Sequence, residues 1–168
     1  TVLSRGLGDV YKRQLVASRQ SAAARLTEAL SMLPGLKPPH VSSEATHVYY
    51  VYGMTLEIDR LPKDRNWIVE ALKAEGVTGL MAGYQNIHLN SLFRKRIAYG
   101  TSGFPWTGLS AGDSSVHYGP GLCPVAENLH QYTFVGLNLC AHAFTDKQVD
   151  HVIAAFSKVW SSMGLITL

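Results

Sequence analysis

The sequence predicts an α/β (α+β) domain whose helices pack on a small mixed or antiparallel sheet. Segments with helical spacing alternate with strand-like segments, in the order α-β-α-β, a long loop, and α-β-α. The chain has 168 residues, of which 46% are hydrophobic and 16% charged. This is enough for one domain with its own core, and it excludes a disordered segment. Such an architecture does not by itself specify a reaction.

The first predicted helix occupies residues 15–33. Apolar residues recur in it at intervals of three and four, as an amphipathic helix requires: Ala22, Leu26, Leu30 and Leu33. Pro34 and Gly35 predict the end of this helix. The Lys-Pro-Pro sequence at 37–39 then favours an extended connector, because a residue before proline avoids the helical conformation.

A strand is predicted over residues 46–58, because side chains alternate along it between two faces. One face carries Val48, Tyr50, Tyr52, Met54, Leu56 and Ile58. The opposite face also carries rings and aliphatic groups, which is typical of a well-covered strand.

The second predicted helix begins after Asp64, a suitable N-cap, and runs to about residue 75. Gly76 can supply the left-handed residue that closes it. Its inner side carries Trp67, Ile68, Ala71 and Leu72. A short strand is expected over residues 77–81.

The C-terminal part predicts a short helix over residues 125–131, a strand over 133–139 and a helix from Asp146. Thr145 and Gln148 have the spacing of a capping box for that last helix. Apolar residues follow at helical spacing before Gly164, namely Val149, Val152, Ile153, Phe156, Val159 and Trp160.

Residues 83–124 form a long irregular region rich in glycine, serine, proline and aromatic residues. Loops of this length in compact domains are usually functional or disordered. The interleaved rings favour a functional loop, since they need a surface on which to pack: Phe93, Tyr99, Phe104, Trp106 and Tyr118.

Residues 4–14 resemble the translation of an adaptor that transposase-made sequencing libraries attach to DNA fragments. We therefore exclude residues 1–14 as an artefact and assign the domain to residues 15–168. Without this segment the formal net charge falls from +3 to +1. That change removes the electrostatic argument for a nucleic-acid partner.

Other function classes are disfavoured by the rest of the sequence. No run of eighteen apolar residues predicts a membrane span, and the N-terminus does not resemble a secretory signal. The two cysteines, Cys123 and Cys140, are too few for a disulfide scaffold and indicate reduced thiols. We therefore expect a cytoplasmic protein without a membrane partner.

Cysteine and histidine side chains near the C-terminus offer a second kind of chemistry. A metal set would comprise Cys123, His130, Cys140 and His142. Zinc sites favour close pairs of ligands, however, and only Cys140 and His142 are near neighbours, so we predict no metal. On a strand these two residues share a face, which favours a buried thiol beside a hydrogen-bonded histidine. A cysteine nucleophile with a histidine base remains an alternative.

Basic and polar residues in the long loop have two interpretations each. The run Arg94-Lys95-Arg96 is either a solvated face or a contact for a phosphate group. His88, which follows Tyr84 and Asn86, is either a structural imidazole or a binding residue.

Six segments in this order resemble a known family. They are the helix with its Pro-Gly turn, residues 46–52 (Thr-His-Val-Tyr-Tyr-Val-Tyr), the helix from Arg65 with residues 75–77, and residues 83–89, 123–130 and 150–159. Together they are similar to the C-terminal, small domain of the DegT/DnrJ/StrS sugar aminotransferases. The resemblance covers essentially residues 15–159.

The resemblance implies the small domain of a fold-type-I transferase that depends on pyridoxal 5'-phosphate. Such enzymes move an amino group from glutamate or glutamine onto a keto-sugar nucleotide or a cyclitol ketone, in polysaccharide or secondary-metabolite synthesis. They are typically homodimers. The Schiff-base lysine belongs to a large N-terminal domain. No lysine of this chain stands in that context, so the fragment is predicted to be inactive by itself.

The resemblance also implies where substrate binds. The loop over residues 83–92 reaches the active site in such enzymes, which makes Tyr84, Asn86 and His88 candidate substrate-binding residues. Arg94 and Arg96 are candidates for a nucleotide phosphate. Many members carry a histidine where this chain has Gly83, and this departure favours a subgroup acting on a different ketone. A stand-alone binding module that uses the aromatic loop is the alternative function.

Overall fold

The computed structural model describes residues 2–107 and 117–167, with side chains from residue 8 onward. The chain divides into two compact units. The first unit comprises residues 1–83 and 132–168, and the second comprises residues 84–131. The five candidate substrate-binding residues all belong to the second unit.

The first unit contains a four-stranded sheet with the strand order β1-β2-β4-β3. The strands are β1 (Leu36–Lys37), β2 (Tyr52–Leu56), β3 (Leu80–Ala82) and β4 (Phe134–Leu137). Every pairing is antiparallel, with Tyr52 opposite Leu137 and Leu80 opposite the same residue on the other side. The antiparallel alternative of the predicted fold class is therefore confirmed.

Three helices pack with this sheet: α1 (Val2–Leu30), α2 (Arg65–Ala74) and α5 (Asp146–Ser162). Helix α5 contacts both α1 and α2, and α2 also contacts β3 and β4. The largest fully buried side chains are Trp160, Tyr52 and Phe156. Among the described residues, no helix combines the length and apolar character needed to cross a bilayer.

The structure extends the first helix N-terminally of Leu15, where the prediction enters it partway along. Helix α1 begins at Val2 and continues through the segment that resembles an adaptor. Once a helix is nucleated, extending it by further residues costs little. The helix can therefore continue across the boundary between the adaptor-like segment and the domain. The core side of α1 agrees with the prediction, because Ala22, Leu26 and Leu30 are buried.

The predicted strand over residues 46–58 is too long. Tyr49 has a φ of 49°, in the left-handed region, and this turns the chain away from the extended conformation. Val48 and Tyr50, which the prediction places on one face of a strand covered on both sides, are consequently exposed. Residues of the same face inside β2, such as Tyr52 and Met54, are buried as predicted.

The helix caps predicted from the sequence are confirmed. Asp64 caps α2 by accepting a hydrogen bond from the backbone N–H of Trp67, and Gly76 follows with a φ of 88°. Thr145 and Gln148 form the capping box of α5. Trp67 itself does not face the core as predicted, because its indole is 39% exposed beneath the ammonium of Lys63.

The second unit contains short helical segments inside the predicted irregular region 83–124, and a helix close to the one predicted over residues 125–131. A 3-10 turn (Ile87–Leu89) packs against α3 (Ser91–Lys95), and α4 (Pro124–Asn128) lies further along the chain. A π-helical turn over Leu129–Thr133 then leads to β4, so the strand starts at Phe134. Part of the predicted loop, residues 108–116, lies outside the described residues.

Aromatic side chains of the second unit pack on one another. The ring of Phe93 lies 5.9 Å from that of Trp106 and 5.5 Å from that of Tyr118. Tyr99 and Phe104 form a separate pair with centroids 6.0 Å apart, and both are exposed. The loop thus has a small aromatic cluster of its own, with two further rings facing solvent.

Candidate substrate-binding site

His88 and Glu127 form the central polar contact of the second unit. The Nε2 of His88 lies 2.8 Å from Oε1 of Glu127, and each side chain is only 12% exposed. His88 belongs to the 3-10 turn and Glu127 to α4, so the contact joins segments that are distant in sequence. This pairing makes the histidine an oriented side chain rather than a freely rotating surface group.

The Glu127 carboxylate is held by the backbone as well. The N–H of Gly121 donates to both carboxylate oxygens at 2.9 Å, and the N–H of Cys123 donates to Oε1 at 3.2 Å. The Gly121 hydrogen bond, and after it that from His88, hold the pKa of the Glu127 carboxyl below its ordinary value. Glu127 is therefore an ionised acceptor in a fixed orientation.

Tyr84 and Asn86 differ in their surroundings. The Tyr84 ring is 66% exposed, so it is open to a ligand. The Nδ2 of Asn86 is buried and has no hydrogen-bond partner within the described residues. An unsatisfied buried donor is unusual in a folded protein, and a bound acceptor would satisfy it.

Arg94 and Arg96 lie at the end of α3. Arg94 is in the last turn and exposed, and it makes no ion pair within the described residues. Arg96 follows as the C-cap with a φ of 53°. Basic side chains at a helix C-terminus interact favourably with its dipole, which is a structural reason for their position. Both the solvated and the phosphate interpretations of this run remain compatible with the geometry.

The cysteine and histidine set does not form a site in the described residues. No cluster of metal-binding side chains is found among residues 2–107 and 117–167. The expectation that Cys140 and His142 share a face of a strand is wrong, because β4 ends at Leu137. Its Sγ donates to Oδ1 of Asn138 at 3.1 Å, while the exposed His142 stacks on Phe144.

Cys140 and His142 do line a cleft of about 260 Å³ in the first unit. Tyr11 contributes to the same cleft. This tyrosine belongs to the segment that we interpret as adaptor-derived, so the cleft depends on residues that we exclude from the domain. It does not carry a functional assignment.

Glu127 is the residue that sequence reasoning missed. It lies within the segment 123–130 that supports the resemblance, but nothing in its immediate sequence points to His88, which is 39 residues away. A glutamate in the first turn of a helix that begins with proline is ordinarily interpreted as favourable electrostatics with the helix dipole. Its role as an acceptor for the loop becomes visible only in the folded unit.

Comparison with known proteins decides the family. A family model described as the DegT/DnrJ/EryC1/StrS aminotransferase family matches residues 10–124, more than half of the chain and including all five candidate residues. This chain belongs to that aminotransferase family. The family's enzymes use pyridoxal phosphate as cofactor.

Solved structures of family-like proteins share the fold. The aminotransferase TlmJ from Streptoalloteichus hindustanus is 21% identical, with a TM-score of 0.60 over 89% of this chain and 32% of that protein. DesV from S. venezuelae, solved with a ketimine intermediate, is 18% identical with a TM-score of 0.61, covering 86% and 31%. The 3-amino-5-hydroxybenzoic acid synthase is 15% identical, with a TM-score of 0.60, covering 89% and 35%.

The chain spans about a third or less of the proteins it matches. The uncharacterized protein MJ1066 from Methanocaldococcus jannaschii is 27% identical over 101 residues, which is 60% of this chain and 26% of that protein. The structural matches likewise cover 31–35% of the longer chains. The fold-type-I aminotransferase neighbours therefore agree with the predicted small C-terminal domain.

The described residues do not supply the covalent anchor for pyridoxal phosphate. A Schiff-base lysine is activated by desolvation or by a neighbouring cation. Every lysine among the described residues of this chain is exposed. Lys37 and Lys158 are also engaged by carboxylates, at 2.6 Å from Glu57 and 2.7 Å from Glu75. None of these side chains fits the cofactor linkage.

Proposed function

We propose that this chain is the small C-terminal domain of an aminotransferase that aminates a keto-sugar nucleotide or a cyclitol ketone. Glutamate or glutamine is the amino donor, and the product serves polysaccharide or secondary-metabolite synthesis. The observation that carries the proposal is the family match over residues 10–124, which contains the whole candidate loop.

The polar groups of the loop support a role in substrate binding. Asn86 offers an Nδ2 donor that has no partner among the described residues, Tyr84 an exposed ring and hydroxyl, and His88 an imidazole oriented by Glu127. Sugar and cyclitol hydroxyls are recognised by convergent donors and acceptors of these types. Arg94 and Arg96 are proposed to meet the phosphate groups of a nucleotide sugar.

The 168-residue chain is proposed to be catalytically inactive by itself. Pyridoxal phosphate supplies the electron sink for amino transfer when it is bound, and its lysine belongs to the large domain of the complete enzyme. The complete enzyme is proposed to be a cytoplasmic homodimer. The lysines described here are exposed, which supports the inactivity of the fragment.

One pair of experiments tests this proposal. The 168-residue chain is mixed with pyridoxal phosphate and reduced with borohydride, and lysine adducts are mapped by mass spectrometry. We expect only low, unselective labelling. A single stoichiometric adduct with amino-transfer activity would overturn the proposed inactivity.

The second experiment reads the source DNA upstream of Leu15 and expresses the reading frame found there. We expect a large domain with a cofactor-binding lysine, and amination of a keto-sugar nucleotide or cyclitol ketone from a panel. A start codon at or near Leu15 would instead support the stand-alone binding module. The exposed pair Tyr99 and Phe104 is the observation that favours that second candidate.

A further inference from the structure

The contact between His88 and Glu127 is a short hydrogen bond between two largely buried side chains. Both side chains are nearly buried at 12% exposure, and the distance of 2.8 Å is that of a good hydrogen bond. Surface ion pairs seldom order two side chains to this extent. A functional role of the histidine therefore involves the glutamate as well.

The carboxylate of Glu127 is fixed by backbone donors, two of which meet Oε1, the oxygen that also contacts His88. The N–H groups of Gly121 and Cys123 both donate to it, so three donors converge on one carboxylate. Rotation of the carboxylate would break the backbone hydrogen bonds. Glu127 thus presents an acceptor to the imidazole in one position only.

An acceptor at Nε2 decides which nitrogen of the neutral imidazole carries the proton. A carboxylate held at low pKa accepts hydrogen bonds and does not donate them, so Nε2 must bear the hydrogen. The other nitrogen, Nδ1, then has a free lone pair. Nδ1 makes no hydrogen bond to any residue that the structure describes.

We propose that Glu127 is a positioning residue that holds His88 with Nε2 protonated, so that Nδ1 accepts a hydrogen bond from a substrate hydroxyl. The ligand class is a polyhydroxylated ketone, because its hydroxyl groups can donate to a lone pair. An ionised phosphate or carboxylate has no proton to donate to that lone pair. This inference rests on the proposed function for the identity of the substrate, but not for the geometry of the pair.

The first test uses the 168-residue chain and needs no turnover. In ¹⁵N-histidine-labelled protein we expect a resolved, exchange-protected Nε2–H resonance, assigned to His88 by its loss in His88→Gln. Glu127→Ala should abolish the protection. Glu70→Ala, which removes an exposed carboxylate paired with Lys73 in the first unit, should leave it intact. Absence of the resonance in the unmodified chain, or its persistence in Glu127→Ala, would overturn the positioning role.

The second test uses the full-length enzyme and separates the two half-reactions. Glu127→Ala and His88→Gln are each expected to raise KM for the ketone about tenfold, the loss of roughly one hydrogen bond, with the amino-donor half-reaction unchanged. The double variant should be no worse than His88→Gln alone, since the glutamate acts through the histidine. Glu127→Gln, which keeps an acceptor oxygen, should recover part of the loss.

The two tests distinguish a failure of the proposed function from a failure of the positioning role of Glu127. If the full-length protein aminates no ketone while the Nε2–H resonance behaves as expected, the proposed function is wrong and the orientation of His88 by Glu127 stands. If amination proceeds and additive losses are measured in the double variant, the positioning role is wrong and the function stands.

Discussion

The indole Nε1 of Trp160 donates a hydrogen bond to the backbone carbonyl of Pro34 across 2.8 Å. This bond connects the last turns of α5 to the turn that ends α1, 126 residues earlier in the chain. Trp160 is fully buried, so the bond is shielded from competing water. It fixes how the first and last helices of the first unit meet.

Loss of this bond is expected to destabilise the chain. Trp160→Phe keeps an aromatic ring but leaves the Pro34 carbonyl without its donor and reduces the packed volume, so we expect a loss of about 2 kcal/mol in the free energy of unfolding. Urea denaturation followed by circular dichroism measures it. Trp67→Phe is the matched control, because that indole is 39% exposed and should cost less than about 1 kcal/mol. Equal losses in the two variants would contradict the role assigned to the bond.

The capping box of α5 predicts a second effect on stability. Thr145 accepts a hydrogen bond from the backbone N–H of Gln148, and the Gln148 side chain accepts one from the N–H of Thr145. Thr145→Ala is expected to lower the free energy of unfolding by about 1 kcal/mol, because an orphan amide loses its acceptor. Lys147→Ala, at a solvent-exposed position in the same turn, should not lower it. A comparable loss in both variants in urea titrations would rule out the cap as the cause.

Glu127 predicts a pH dependence of the second unit. Its pKa is lowered in the folded chain, first by the Gly121 amide and then by His88. A lowered folded pKa stabilises the fold above the ordinary glutamate pKa of about 4.3, and this stabilisation is lost as the pH falls through the folded value. We expect the protection of the Gly121 and Cys123 amides from hydrogen exchange to fall in that acid range.

Titration of the Glu127 carboxyl by ¹³C NMR separates the two causes of its lowered pKa, the Gly121 and the His88 hydrogen bonds. In His88→Gln the pKa should rise only in part, because the larger cause, the Gly121 hydrogen bond, remains. In Glu127→Gln the amide protection should be lower and independent of pH over the same range. A Glu127 carboxyl that titrates at the ordinary value in the unmodified chain would contradict the hydrogen-bond network.

The adaptor interpretation of the N-terminal segment predicts a tolerated deletion. Between residues 8 and 30 of α1, the first buried side chain is that of Ala22, whereas Val10 and Tyr11 are more than half exposed. Deleting residues 1–14 is therefore expected to change the free energy of unfolding by less than about 1 kcal/mol. Leu26→Ala, which opens the core from the same helix, should cost about 2–5 kcal/mol. A deletion as costly as Leu26→Ala would show that the segment is an integral part of the domain.

Local signals in the sequence were sufficient to predict α2 and α5, but not the start of α1. A capping residue, an apolar stripe and a closing glycine all act within a few residues of each other, as Asp64 and Gly76 do around α2. The strand predicted over residues 46–58 was too long, because an alternating pattern of side chains carries no information on the backbone φ angle at Tyr49. Trp67 was misplaced since a ring at the edge of a helical stripe can face either side.

The candidate site was predicted only in part. The resemblance pointed to Tyr84, Asn86 and His88, but the acceptor that orients His88 lies on α4, 39 residues later. Such a contact depends on how the second unit folds back on itself, and no period or spacing in the sequence encodes it. The sequence also could not show that Nδ2 of Asn86 is buried without a hydrogen-bond partner among the residues described, because burial of a single atom is a property of the packed unit.

Gly83 makes the departure from the family pattern difficult to reverse. Its φ is 79°, its N–H donates to the carbonyl of Phe134, and it is buried. A histidine at this position would be strained in that backbone conformation. To accommodate the imidazole, the peptide would have to rotate, and the hydrogen bond from the N–H of residue 83 to the carbonyl of Phe134 would be lost. The backbone at position 83 therefore disfavours a polar side chain there, and any polar contact from this stretch has to come from the residues that follow, beginning with the exposed Tyr84.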